Sequence, residues 1–232
     1  MTAFRAVPAD PRPWPSSGEG SRDNSALIII DMQRDFCDPE GYMGQMGYDL
    51  TPLRAPIAPI ATVLTAARQA GWAVIHTRQG YRREVIDRVR SKEEDCKSSK
   101  VRPGDPGPLG RIMIREEPGW QIIPDLAPIE GEVIVDKTAN GAFCDTDLAG
   151  ILRALEIRHL AFCGNTIDVC VHTTLREAND QGFECLLIAD CCGAVSKELH
   201  HAAVEMVKVE DGVFGSVTDS ATFVAALSAL QQ

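Results

Sequence analysis

Short apolar runs in this 232-residue chain stop at side chains with complementary chemistry. ALIII ends in Asp31, EVIVD ends in Lys137, and HLAFCG leads through Asn165 and Thr166 to Cys170. A carboxylate moves protons, an ammonium balances charge, and a thiolate attacks an electrophilic carbon. All three are thus delivered to one rim of a sheet.

Eight cysteines compete for the nucleophile's role. Cys170 falls in the first turn of a predicted helix over 168–180, marked by Val171, Thr174, Leu175 and Ala178. Unpaired backbone N–H groups and the helix dipole there predict a lowered thiol pKa, and Thr166 or Asp168 suits the cap. Cys163 and Cys185 lie inside strand patterns and are expected to be inert. Cys191 and Cys192 follow the strand ending at Asp190, with nothing nearby to activate them.

The competing chemistry is a cysteine–histidine pair. His172 stands two places past Cys170 and points elsewhere on a helix, whereas His76 ends a neighbouring strand and remains a candidate base. His159 begins a strand and belongs to the opposite rim. His200 and His201 fall in SKELHHAAVEM as solvated or packing residues. The bland alternative makes Cys170 structural, Asp31 a turn residue and Lys137 a solvated charge. A non-catalytic or redox-sensing protein would follow. The meeting of all three types at one rim weighs against it.

That rim follows from the elements. Strand-length apolar runs recur at 26–32, 73–77, 132–137, 159–164 and 184–190, and helical spacing marks 56–70, 147–156 and 168–180. Alternating buried strands and helices predict right-handed βαβ units and an α/β fold: three layers, a mostly parallel sheet flanked by helices. Such sheets bind ligands at the carboxyl ends of their strands. Residues 80–125, with SKEEDCKSSKVRPGDPGPLG, read as a long surface excursion of the kind that lines a site or a subunit contact. Residues 1–24 carry prolines at 8, 11, 13 and 15 and read as an extended arm outside the core, leaving 25–232 as one domain.

A hydrophobic content of 44% is enough for one sizeable core. The net charge of −10 argues against nucleic acid or an anionic membrane as partner and favours a small molecule. The sequence contains neither a bilayer-length apolar run nor a signal-peptide core, so a cytoplasmic protein is the expectation. In that compartment most cysteines are expected to be buried small hydrophobes, and none has zinc-site spacing.

The chain resembles the isochorismatase-like cysteine hydrolases from about Ala26 to Ala226. The resemblance rests on LIIIDMQRDF with Asp31, VIVDKTANGAF with Lys137, and GNTIDVCVHTTLREANDQGFECLLIADCCGA with Cys170. It implies a dimer or tetramer in which Cys170 attacks an amide or ureido carbonyl to form a thioester. Asp31 would take the thiol proton and later activate water, and Lys137 would balance charge. The backbone N–H groups of Thr166 and Cys170 would hold the oxyanion, with a cis peptide at Asn165-Thr166.

Metal-binding relatives carry an Asp-x-His motif where GYMGQMGYDLT has no histidine, so the resemblance implies no metal and no cofactor. Relatives that cleave a vinyl ether lack the cysteine. GPLGRIMIREEPGWQIIPDLAP and HTTLREANDQGFECLLIADC look most like the branch hydrolysing biuret, triuret and related linear ureas. Phe36 and Phe143 are then expected as pocket walls, with Asn165 and Glu210 as substrate contacts. The branch has an amide side chain near Glu210. A carboxylate there accepts only, favouring triuret or another N–H-rich ureido compound over biuret. Ureidoacrylate and N-carbamoyl amino acids are the alternative substrates.

Overall fold

The computed structural model describes residues 3–88 and 100–228. Where an arm outside the core was expected, β1 (Ala3–Val7) and β2 (Trp14–Ser21) form an antiparallel hairpin. Its Phe4, Val7 and Trp14 are buried. The Phe4 ring centroid lies 5.2 Å from that of Trp72, which in turn lies 5.5 Å from Phe223. Large aromatic faces bury enough area to dock a segment whose Pro and Gly content suggests a loose one.

Strand β3 (Ser25–Ile30) is buried at every position, as its apolar run from Ala26 requires when both faces are covered. It lies near the middle of a six-stranded parallel sheet ordered β10-β9-β8-β3-β4-β7. The others are β4 (Ala73–Gln79), β7 (Val133–Lys137), β8 (His159–Asn165), β9 (Glu184–Gly193) and β10 (Ser216–Thr218). The apolar pattern predicts all but β10, whose three residues are too short to show a period. β7 was expected to be covered on both faces, but it takes an edge place and leaves Ile134 40% exposed.

After β3 come the short helices α1 (Arg34–Cys37), α2 (Tyr42–Met46) and α3 (Thr51–Arg54), then α4 (Ile57–Ala70). α4 buries Ile60, Val63, Leu64 and Ala67 and stops at Gly71, whose left-handed φ of 73° suits a residue without Cβ. α5 (Leu148–Ala154) joins β7 to β8, α6 (His172–Asp180) joins β8 to β9, and α7 (Lys197–Gly212) joins β9 to β10. α8 (Ser220–Ser228) closes the described chain and packs on α4.

From β3 the chain steps one way along the sheet to β4 and β7, then returns to β8 and steps the other way. Right-handed crossovers therefore place α4 on one face and α5, α6 and α7 on the other, the three layers expected. The direction reverses between β3 and β8, so the crevice at their carboxyl ends is the natural ligand site.

The excursion after β4 is anchored rather than loose. Tyr81 N donates to Met113 O at 2.8 Å, Arg115 N donates to Tyr81 O at 2.9 Å, and β5 (Pro106–Gly107) pairs with β6 (Gly110–Arg111). Ile112, Met113, Ile114, Trp120 and Ile123 are buried. Its most charged stretch, residues 89–99, lies outside the described residues.

Candidate active site

Register brings the rim together. Ile30 pairs with Gly164, and Gln79 pairs with Lys137, so Asp31, the turn after β8 and Lys137 leave the sheet at one level. The approach is close: a Cβ on Gly164 (φ 118°) would stand 2.1 Å from Ile30 O, so no other residue fits without moving β3. The Asn165-Thr166 peptide bond is cis. The chain then enters a π-helical turn, Ile167–Val171, which holds Cys170 and leads into α6. Single π turns inside helices often mark functional sites.

Lys137 and Asp31 are both fully buried in their side chains, with Nζ 2.7 Å from Asp31 Oδ2. Asp31 Oδ1 accepts from Thr77 Oγ1 at 2.6 Å, fixing the carboxylate. Lys137 Nζ also donates to Ala139 O and Asn140 O, each at 3.0 Å, and to Gln79 Oε1 at 3.2 Å. The same Gln79 oxygen lies 3.3 Å from Cys170 Sγ. The charges of Asp31 and Lys137 both act on the sulfur's ionisation. Behind them, Thr174 Oγ1 donates to Cys170 O at 2.7 Å and accepts from Ala142 N at 3.1 Å, tying the cysteine turn to the loop after β7.

The electrostatics differ from the expected low thiol pKa. Burial pushes Cys170 up to about 12; Lys137 pulls it down and Asp31 pushes it up. Cys170 is only 6% exposed, and desolvation is the largest influence on its thiol. Lys137 is raised although burial lowers it, because Asp31 and Cys170 favour its charge. At neutral pH the resting pair is thus a thiol and an ammonium.

The sulfur faces a cavity of about 410 Å³ lined by Phe36, Tyr42, Met43, Tyr81, Met113 and Val169, with Gln79, Asn140, Asn165, Thr166 and Arg88 as its polar members. Asp35 holds this wall in place. Its Oδ2 accepts from Met113 N at 2.9 Å and its Oδ1 from Tyr42 N at 3.3 Å, while burial lifts it to about 6.

Residues 25–222 match the model of the isochorismatase domain. The chain belongs to the isochorismatase family. Among solved structures, a cysteine hydrolase from Pseudomonas syringae pv. phaseolicola 1448A is similar, with 25% identity and a TM-score of 0.77 over 91% of this chain and 95% of that one. An isochorismatase family protein from Desulfovibrio vulgaris subsp. vulgaris str. Hildenborough gives 23% and 0.73 over 88% and 98%. N-carbamoylsarcosine amidase from Thermoplasma acidophilum gives 20% and 0.64 over 85% and 96%, a likeness of fold.

Within this isochorismatase-family fold the expected substrate contacts divide. Phe36 lines the cavity, as do Asn165 and Thr166. Asn165 Nδ2 is spent on Leu53 O at 3.0 Å. Phe143 is not among the lining residues; it stacks on Phe183 with centroids 6.1 Å apart, because the loop after β7 turns toward α6. Glu210 is also outside the cavity. It is exposed at a kink near the end of α7 with φ 50°, where Arg12 holds the adjacent Asp211 and Gly212 carbonyls. His76 bonds to Glu132 at 3.1 Å, and His159 faces Asn24 and Glu184 at the other rim. No candidate base histidine borders the cavity.

Sequence reasoning missed Gln79. The residue one place past HTR carries no motif of its own, and only its register with Lys137 marks it. Gln33 holds its backbone, accepting from Gln79 N at 2.7 Å and donating to Gln79 O at 3.0 Å. Among the described residues no group of His, Cys, Asp and Glu is arranged to hold a metal, and no helix is long and apolar enough to cross a membrane.

Proposed function

We propose that this hydrolase cleaves the C–N bond of a small linear ureido or amide compound, with biuret and triuret as the first candidates. The observation that carries the reading is a buried thiol at a cavity, linked through the Gln79 side-chain oxygen to a buried carboxylate–ammonium pair. The thiol is too basic to ionise alone, so its proton passes to Asp31 as the sulfur attacks the carbonyl carbon. Lys137 holds the charge of the cluster while the N–H groups of Thr166 and Cys170 take the oxyanion. The C–N bond breaks as nitrogen receives the Asp31 proton, leaving a thioester and releasing ammonia or an amine. Water, deprotonated by Asp31, then attacks the thioester and restores the thiol. That a named N-carbamoylsarcosine amidase shares the fold supports an amidohydrolase reading.

We further infer a cofactor-free cytoplasmic dimer or tetramer. Exposed Leu199, Met206 and Val209 along α7, with Val213 at its C-cap, support an association face, and the buried thiols of Cys37, Cys163, Cys185, Cys191 and Cys192 suit a reducing compartment. Light scattering tests the first point. The activity test is ammonia release from biuret, triuret, ureidoacrylate, N-carbamoyl amino acids and nicotinamide, with acid-quenched mass spectrometry of Cys170. An acyl adduct on Cys170 and turnover of a ureido compound are expected. Turnover of none, with oxidation of Cys170 by peroxide, would favour a redox sensor instead.

A further inference from the structure

Gln79 is buried, yet it lies on the cavity wall beside Cys170. Its side-chain oxygen serves two groups at once, Lys137 Nζ at 3.2 Å and Cys170 Sγ at 3.3 Å. An ammonium only donates, so the amide turns its oxygen, not its nitrogen, toward this pair. An amide oxygen only accepts. A sulfur this close to it bonds through its own proton, whereas a thiolate there would set two acceptors against each other. The amide is also held in place. Gln33, itself fully buried, accepts from Gln79 N at 2.7 Å and donates to Gln79 O at 3.0 Å and Trp120 O at 2.9 Å. Both oxygens of Asp31 are meanwhile engaged, by Thr77 Oγ1 at 2.6 Å and by Lys137 Nζ at 2.7 Å.

Resting on the reading of Cys170 as the nucleophile, we propose that Gln79 parks the thiol proton: at rest Cys170 donates to Gln79 Oε1, and the proton passes to Asp31 only as a substrate is attacked. A turn about the Cβ–Sγ bond redirects the proton while Gln79 stays where Gln33 holds it. The S–H electron pair then forms the bond to the carbonyl carbon, the carbonyl π pair moves onto oxygen, and the proton becomes an O–H on Asp31. Between turnovers the sulfur remains a thiol, the form that resists electrophiles and oxidants. Gln79 is thus a catch on the nucleophile. Its hydrogen bond favours the un-ionised sulfur, and the same oxygen shares the Lys137 ammonium that would otherwise draw the thiolate out.

The test needs no substrate. The full-length wild type, Gln79→Met and Gln79→Glu are alkylated with iodoacetamide at pH 7, and mass spectrometry follows the Cys170 peptide, with the exposed Cys144 as internal reference. Gln79→Met keeps the length but removes the acceptor, so Cys170 should react about three- to tenfold faster, the scale of one hydrogen bond, with Cys144 unchanged. Gln79→Glu keeps an acceptor and adds a negative charge, so Cys170 should react no faster than in the wild type. Loosened packing would instead speed both variants. The proposal is overturned if Gln79→Met is no faster than wild type, if its rise is matched at Cys144, or if Gln79→Glu rises with it. A second measurement does not depend on how the Gln79 variants fold. The infrared difference between wild type and Cys170→Ser should contain an S–H stretching band at lower frequency than that of an unbonded thiol. No such band, or one at the unbonded frequency, would equally overturn it. The ureido hydrolase reading fails separately, by absence of ammonia release and of an acyl adduct on Cys170.

Discussion

Two buried clusters of charge sit on the same pair of strands, and only one of them is built to react. At the carboxyl rim, Lys137 of β7 meets Asp31, with Gln79 of β4 between it and the sulfur. Nearer the start of β7, Glu132 meets His76 of β4 at 3.1 Å and is gripped by Arg68 of α4 at 2.7 and 2.9 Å. Both clusters shift pKa values. His76 is lowered by burial, and Glu132 is lowered by Arg68, Ile129 N and His76 although burial raises it. The difference is access. The first cluster floors a cavity and contains a nucleophile, whereas the second is packed beneath a helix with its acceptors taken. A perturbed pKa marks a site only when a substrate can reach it.

Breaking the first cluster should cost most at Cys170. Cys170→Ser is expected to lose at least about a thousandfold in kcat with the fold retained, because a hydroxyl is a far weaker nucleophile at nearly the same volume. Cys163→Ser, whose parent sulfur is buried against Ile28 O, should keep its activity. The reverse pattern in ammonia-release assays would assign the nucleophile to the wrong cysteine.

Next come the charges. Asp31→Asn and Lys137→Ala should each lower kcat by at least about a hundredfold, the scale of a lost acid–base group. The double variant should fall far short of additivity, since groups acting as a unit fail together. Lys137→Ala also strands a buried carboxylate, at a cost of about 3–5 kcal/mol measurable by denaturant unfolding. Full activity in either single variant would break the cluster as an acting unit.

Gln79 sharpens the comparison, since it belongs to the same strand as His76. Gln79→Ala should reduce kcat/KM by about tenfold, the value of one hydrogen bond to a charged partner, while His76→Gln should leave kcat near wild type and lower the melting temperature. Equal kinetic losses would place both clusters in the reaction.

The smallest effect is in pH. A histidine whose folded pKa is depressed, and a glutamate whose folded pKa is depressed, each contribute stability that is present above the unfolded value and lost as pH falls. The second cluster should thus weaken as pH drops from 7 through the ordinary values of 6.5 and 4.5. Thermal melts should show a shallower pH dependence in His76→Gln. An unchanged slope would remove this cluster from the linkage.

By itself the sequence determined which chain positions reach the rim. Apolar runs of strand length must be buried, parallel strands end at one side, and so Asp31, Lys137 and the turn carrying Cys170 were placed without a structure. The helices over 57–70 and 172–180 were equally legible, from periodicity over several turns. What tertiary structure decided depends on neighbours far along the chain. Gln79 became a contact of the sulfur through its register with Lys137, and Tyr81 and Met113, bonded backbone to backbone, joined the cavity wall from the excursion after β4. Phe143 and Glu210 left the site through a loop turn and a helix kink that have no periodic signal. The thiol pKa rose because depth of burial is set by everything packed around an atom, while a helix start is local. The N-terminal segment joined the core for the same reason: Phe4 and Trp14 find Trp72 and Phe223 only once the strands and helices between them have assembled.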